Sequence, residues 1–150
     1  MVLKSRLPGQ SSLRSYPINY CGSGTIYSCA PGTAGVLLGN GDGTFQPAES
    51  YLSGGDYPVS LASTDFNGDG KLDIVEVNGG SNNVGVLLGN GDGTFQPAVI
   101  ETVRVGGILE AVVAADVNGD GTPDLELADG CGANSCSEGA VSVLLNLATK

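Results

Sequence analysis

Gly35 to Ala48 reads GVLLGNGDGTFQPA, and Gly85 to Ala98 repeats the same fourteen residues 50 positions later. A second element recurs with nearly the same period. Asp65 to Asp73 reads DFNGDGKLD, and Asp116 to Asp124 reads DVNGDGTPD, 51 positions on. The apolar part returns once more at Val141-Ser142-Val143-Leu144-Leu145, without its turn. A period of about 50 residues marks an architecture of repeated supersecondary units, each burying its apolar face against a neighbour.

Each element reads as strands and tight turns. Val84 to Leu88 is a short apolar strand, and Asn90-Gly91-Asp92-Gly93 supplies the positive-φ positions of a hairpin. Strand-forming residues also flank the aspartate motif, from Pro58 to Thr64 and from Leu72 to Val77. One unit is therefore four antiparallel strands, expected near 58–66, 71–78, 83–89 and 94–105, which is the make-up of a propeller blade. Phe45 and Phe95 are expected in the core.

On these two motifs and their spacing the chain resembles the FG-GAP/VCBS repeat family, over roughly residues 33–147. That family is found in integrin-α propellers, some fungal lectins and many bacterial surface proteins. The resemblance implies an all-β fold of four-stranded, antiparallel, propeller-type blades. About two and a half blades fit in the chain. The first repeat shows strands near 34–39 and 44–54 and a poorer one near 16–21. The last shows strands near 108–117, 123–128 and 140–147 and no fourth. The expected organisation is a basic N-terminal arm at 1–15 and a repeat domain at 16–150. The domain divides into a partial blade at 16–55, a full one at 56–106 and a partial one at 107–150.

In the first aspartate motif, oxygen side chains stand at Asp65, Asn67, Asp69 and Asp73, and the Lys71 carbonyl adds another. Asp116, Asn118, Asp120, the Thr122 carbonyl and Asp124 repeat the set. Strand alternation points them into one concavity, and Gly70 permits the sharp turn. Hard oxygen ligands without imidazole or thiolate favour calcium, one ion per motif, over magnesium. An EF-hand reading fails downstream: position 12 is Glu76 in one copy but Leu127 in the other, and β-formers follow rather than a helix. A metal-free Asx turn is the plainer alternative. Each NGDG hairpin holds a single carboxylate and is read as a turn.

Cys21, Cys29, Cys131 and Cys136 form two close pairs. Local disulfides are expected, with zinc as the rival and connectivity left open; disulfides point to an extracellular or cell-surface location. No apolar run reaches the roughly 20 residues that span a bilayer, so membrane insertion is not expected. The formal net charge of -10 disfavours nucleic acid as a partner. That charge is unevenly placed: Lys4, Arg6 and Arg14 precede the first acid, Asp42.

A closed propeller takes about four to eight blades, more than this chain holds. It is thus expected either to be part of a larger propeller or to assemble head to tail as a homo-oligomer, each copy completing its neighbour's blade. The leading functional reading is an extracellular calcium-stabilised structural repeat protein that forms a fibre or ring. The family resemblance implies the alternative, adhesion or carbohydrate binding, with a glycan or cell-surface protein as ligand. An enzyme is not expected. There is no His, and six of the 16 acids belong to the two metal motifs.

Overall fold

The computed structural model describes residues 12–15, 32–103, 107–130 and 139–147, and ten strands lie among them. They form three antiparallel sheets. The first holds β1 (Ser12–Ser15), β2 (Thr33–Leu37) and β3 (Glu49–Leu52), in that order. The second is a four-stranded meander of β4 (Pro58–Thr64), β5 (Asp73–Asn78), β6 (Asn83–Leu87) and β7 (Val99–Thr102). The third runs β10 (Ala140–Leu144), β9 (Asp124–Gly130), β8 (Ile108–Ala115). No helix occurs among the described residues.

The central strand β5 explains the stacking. Its sequence, DIVEVN, is rich in β-branched residues, and every one of its positions is buried. Alternation sends Val75 and Val77 to one face, where they join Val84, Leu109, Val112, Leu125 and Leu127 in a cluster shared with the third sheet. Ile74 points to the other face and packs with Leu61, Leu87 and Val36, the last from the first sheet. The second sheet is thus sandwiched between the other two. Burying each of these side chains is worth about 1.5–3 kcal/mol.

Polar contacts pin the sheets to one another. Between the second and third, Asn82 accepts from the Leu109 amide (3.0 Å) and donates to the Gly107 carbonyl (3.1 Å). Asn146 reaches from beyond β10 to donate to the Phe66 carbonyl, at 2.8 Å. Between the first and second sheets, Asn78 donates to the Ser53 carbonyl at 3.3 Å. The same carbonyl leaves no room for a side chain at Gly85, where a Cβ would lie 2.0 Å from it.

The structure departs from the sequence reading in three places. The strand beside β2 is Ser12–Ser15, with Leu13 opposite Val36, so part of the expected arm belongs to a sheet. Its sequence, SLRS, has one apolar residue, and its pairing is fixed by the backbone register with β2 rather than by any pattern of its own. The expected strand at 94–105 shortens to Val99–Thr102, because Gly89 and Phe95 close the hairpin through a single bridge. The two phenylalanines also diverge. Phe95 meets Tyr51 of the first sheet edge to face, with ring centroids 5.4 Å apart. Phe45 is 50% exposed, since no described residue plays Tyr51's part for it. The residues near 16–21 and all four cysteines lie outside the described residues.

Gly85→Ala is expected to destabilise the fold by about 2 kcal/mol, because the new methyl must displace the Ser53 main chain. Urea unfolding of the variant measures this, and a loss within error of zero would contradict the close approach.

Candidate metal loops

Each aspartate motif forms the loop between the first and second strand of its sheet, from β4 to β5 and from β8 to β9. In the first, Asp65 accepts three main-chain bonds: from Gly68 (2.8 Å) and Asp69 (3.0 Å) on Oδ1, and from Gly70 (2.9 Å) on Oδ2. Asn67 Oδ1 accepts from the Asp69 amide at 3.0 Å, and Asp69 Oδ1 from the Lys71 amide at 2.9 Å. The loop therefore coils around its own acidic side chains. Gly68 and Gly70, with φ of 76° and 83°, supply the left-handed positions that make this coil.

The second loop copies the first. Asp116 accepts from Gly119 (2.7 Å), Asp120 (3.1 Å) and Gly121 (2.9 Å). Asn118 accepts from the Asp120 amide at 2.9 Å, and Asp120 accepts from the Thr122 amide at 2.8 Å and from its hydroxyl. The Lys71 amide, its ammonium at 3.2 Å and Asn67 hold the Asp69 carboxyl below the usual carboxylate range.

Asp73 and Asp124 behave differently from the other acids of their motifs. Both are fully buried. Asp73 accepts from the Phe66 amide (2.9 Å) and the Gly89 amide (2.8 Å), tying the start of the loop to the segment after β6. Asp124 accepts from Val117 (3.1 Å) and Asn146 (2.8 Å) in the same way. Each is a bracket across three consecutive strands. The sequence motif shows an oxygen at this place but not that it faces inward.

The donor types fit a hard divalent cation. A carboxylate has about four lone-pair positions, so the three bonds to Asp65 leave capacity for an ion, and Asp69 is exposed at the loop surface. Asp65, Asn67, Asp69 and the Lys71 carbonyl lie along one loop, as do Asp116, Asn118, Asp120 and the Thr122 carbonyl. Among the described residues no three acidic, histidine or cysteine side chains are grouped closely enough to hold one ion. The concavity expected to include Asp73 and Asp124 is therefore not drawn together here. A bound cation would draw on the oxygens of each loop, and Asp73 and Asp124, with two bonds accepted each, keep lone pairs for it at the loop's base.

The NGDG turns use their single carboxylates internally. Asp42 accepts from the Thr44 amide (2.9 Å) and hydroxyl (2.6 Å), and Asp92 does the same with Thr94. These bonds, the hydroxyl's foremost, keep both carboxyls below the usual range.

Stacked antiparallel sheets, two of which carry a copy of one aspartate loop between their first and second strands, define a β-repeat protein. A sequence model for the FG-GAP-like repeat matches residues 24–76 and 65–125, and the chain belongs to that family. Each match closes on an aspartate loop and the start of the strand after it. No curated protein and no solved structure matches the chain.

Asp73→Ala would leave the Phe66 and Gly89 amides without their acceptor and should cost about 3 kcal/mol. The loss should appear in chelator as fully as in calcium. A loss confined to the calcium-loaded protein would show that Asp73 acts only as a metal ligand.

Proposed function

We propose that this chain is an extracellular, calcium-binding structural repeat protein whose sheets are propeller-type blades and whose copies assemble head to tail. It carries out no reaction. The observation that carries the reading is the outer face of the third sheet. On the second sheet the row Ala62–Val75–Val86 is covered by the third sheet. The matching row of the third sheet is Val113–Glu126–Val143, and there Val113 is 55% and Val143 50% exposed. Val141 beside them is 69% exposed. A further sheet stacked on this face would continue the interface already present inside the chain. The β10 edge that corresponds to the β6–β7 pairing is also unpaired among the described residues, which suits strand addition by a second copy.

Calcium would support this assembly by stiffening the two loops and by offsetting four of the ten net negative charges. Extracellular modules bind calcium with dissociation constants of about 10⁻⁴–10⁻³ M, so the loops would fill outside the cell. The cysteine pairs, read as disulfides, agree with that location. No helix among the described residues is long and apolar enough to cross a membrane.

A second reading, a glycan- or protein-binding module, has one observation in its favour. A cleft of about 430 Å³ lies between the first aspartate loop and the second NGDG hairpin, with Gln46, Lys71, Asp92, Thr94 and Phe95 on its walls. Its polar groups beside one aromatic ring suit a sugar.

Asp69→Ala or Asp120→Ala should lower the melting temperature in calcium and change it little in chelator; equal losses in both would refute a metal role for these loops. Negative-stain electron microscopy in about 1 mM calcium, beside a chelated aliquot, tests the assembly. Fibres or rings that disperse on chelation are expected. Separate particles in both samples would overturn the assembly and leave the cleft as the functional feature.

A further inference from the structure

Glu76 stands where the repeat otherwise calls for an apolar side chain. In the second sheet it lies in the row Leu61–Glu76–Gly85, and in the third sheet the matching row is Val112–Leu127–Ser142. Leu127 fills its place as part of the apolar core. Glu76 is just as completely buried, yet among the described residues neither carboxyl oxygen has a hydrogen-bond partner.

Two residues on, and on the same face, Asn78 Oδ1 is also buried and without a partner among the described residues. The donors nearest to it are already committed, and the Ser53 hydroxyl donates to the Gly55 carbonyl (3.1 Å). Asn78 Nδ2 is committed to the Ser53 carbonyl (3.3 Å) and to Asn83 Oδ1 (3.0 Å). Turning the Asn78 amide over would relocate the orphan oxygen without removing it, because Ser53 and Asn83 would then lose their donor. Among the described residues, no donor reaches Glu76 or Asn78 Oδ1. This pocket sits at the joint between the first and second sheets, since Ser53 directly follows β3.

We propose that Glu76 and Asn78 form a proton-operated latch at this joint: the protonated Glu76 carboxyl donates to Asn78 Oδ1, and losing the proton leaves a bare carboxylate among acceptor oxygens and loosens the first sheet from the second. The step is a protonation alone, with the proton drawn from and returned to solvent. Among the described side chains, the titratable groups on the elements packed against this face are Glu49 and Tyr51 of β3 and Asp56 and Tyr57 of the following loop; the side chain of Arg14 on β1 lies outside the described ones. None of the described groups supplies a positive charge that would hold Glu76 ionised. Burial accordingly pushes the carboxyl up from 4.5 to about 7. The folded state then holds a proton that the unfolded chain gives up. The latch's contribution is complete below about pH 4.5, falls as the pH rises, and is gone above about 7.

Amide hydrogen exchange of the calcium-loaded protein across this range tests the proposal. After correction for intrinsic rates, β2 and β3 should open more easily by up to about tenfold per pH unit between about 4.5 and 7. Strands β8 and β9, built around Leu127, should lack that slope. Glu76→Gln, which carries a permanent donor, should abolish it in β2 and β3. The same slope in wild type and variant would overturn the latch. Should the variant fail to fold, carboxyl-labelled glutamate NMR of the wild type decides. One of the six glutamates titrating near 7 supports the latch, and all six within about one unit of 4.3 overturns it.

Discussion

Two buried carboxylates, Asp73 and Asp124, hold the second and third sheets in shape. Taking a carboxylate out of water is costly unless its oxygens are satisfied, and here each takes one main-chain amide on either oxygen. Those amides come from two different connections, so a single side chain fixes where one strand ends, where the next begins and where the third leaves the sheet. The exposed part of the loop then has little freedom. Its coil of amides around Asp65 or Asp116 is set from below.

The stacking of sheets follows from this local rigidity. With the strand connections fixed at one end, the faces of the second sheet present Ile74 and Leu87 to one side and Val75, Val77 and Val84 to the other. Polar pins at Asn78, Asn82 and Asn146 then set the register between sheets without reducing the apolar contact. Apolar area supplies most of the adhesion, and the amides choose the one alignment in which every pin closes.

Strands, turns and loops were legible because their signals are local. Valine and isoleucine alternate, glycines occupy positive φ in both aspartate loops, and oxygen side chains fall at fixed spacing. What escaped depended on neighbours distant in the chain. SLRS has no strand pattern and is a strand through its register with β2. Phe45 and Phe95 sit in identical segments, yet only Phe95 has Tyr51 to pack against. The inward turn of Asp73 depends on Gly89, 16 residues away. Glu76 offered a readable hint, a charge where the next repeat has Leu127, but its isolation becomes visible only once Ser53 and Asn78 are seen to offer it no donor.

The two identical fourteen-residue segments carry a hazard for the folding chain. Nothing within 35–48 or 85–98 tells one hairpin from the other, so each fits the other's seat, and a slip of a whole repeat would preserve every contact inside it. Only residues outside the duplicated stretch break the tie. Tyr51 occurs where the next copy has Glu101, so a slipped hairpin would find an acid in place of the ring that Phe95 meets. The unlike residues bordering the repeat thus act as an address, telling each copy of one peptide which sheet it must join.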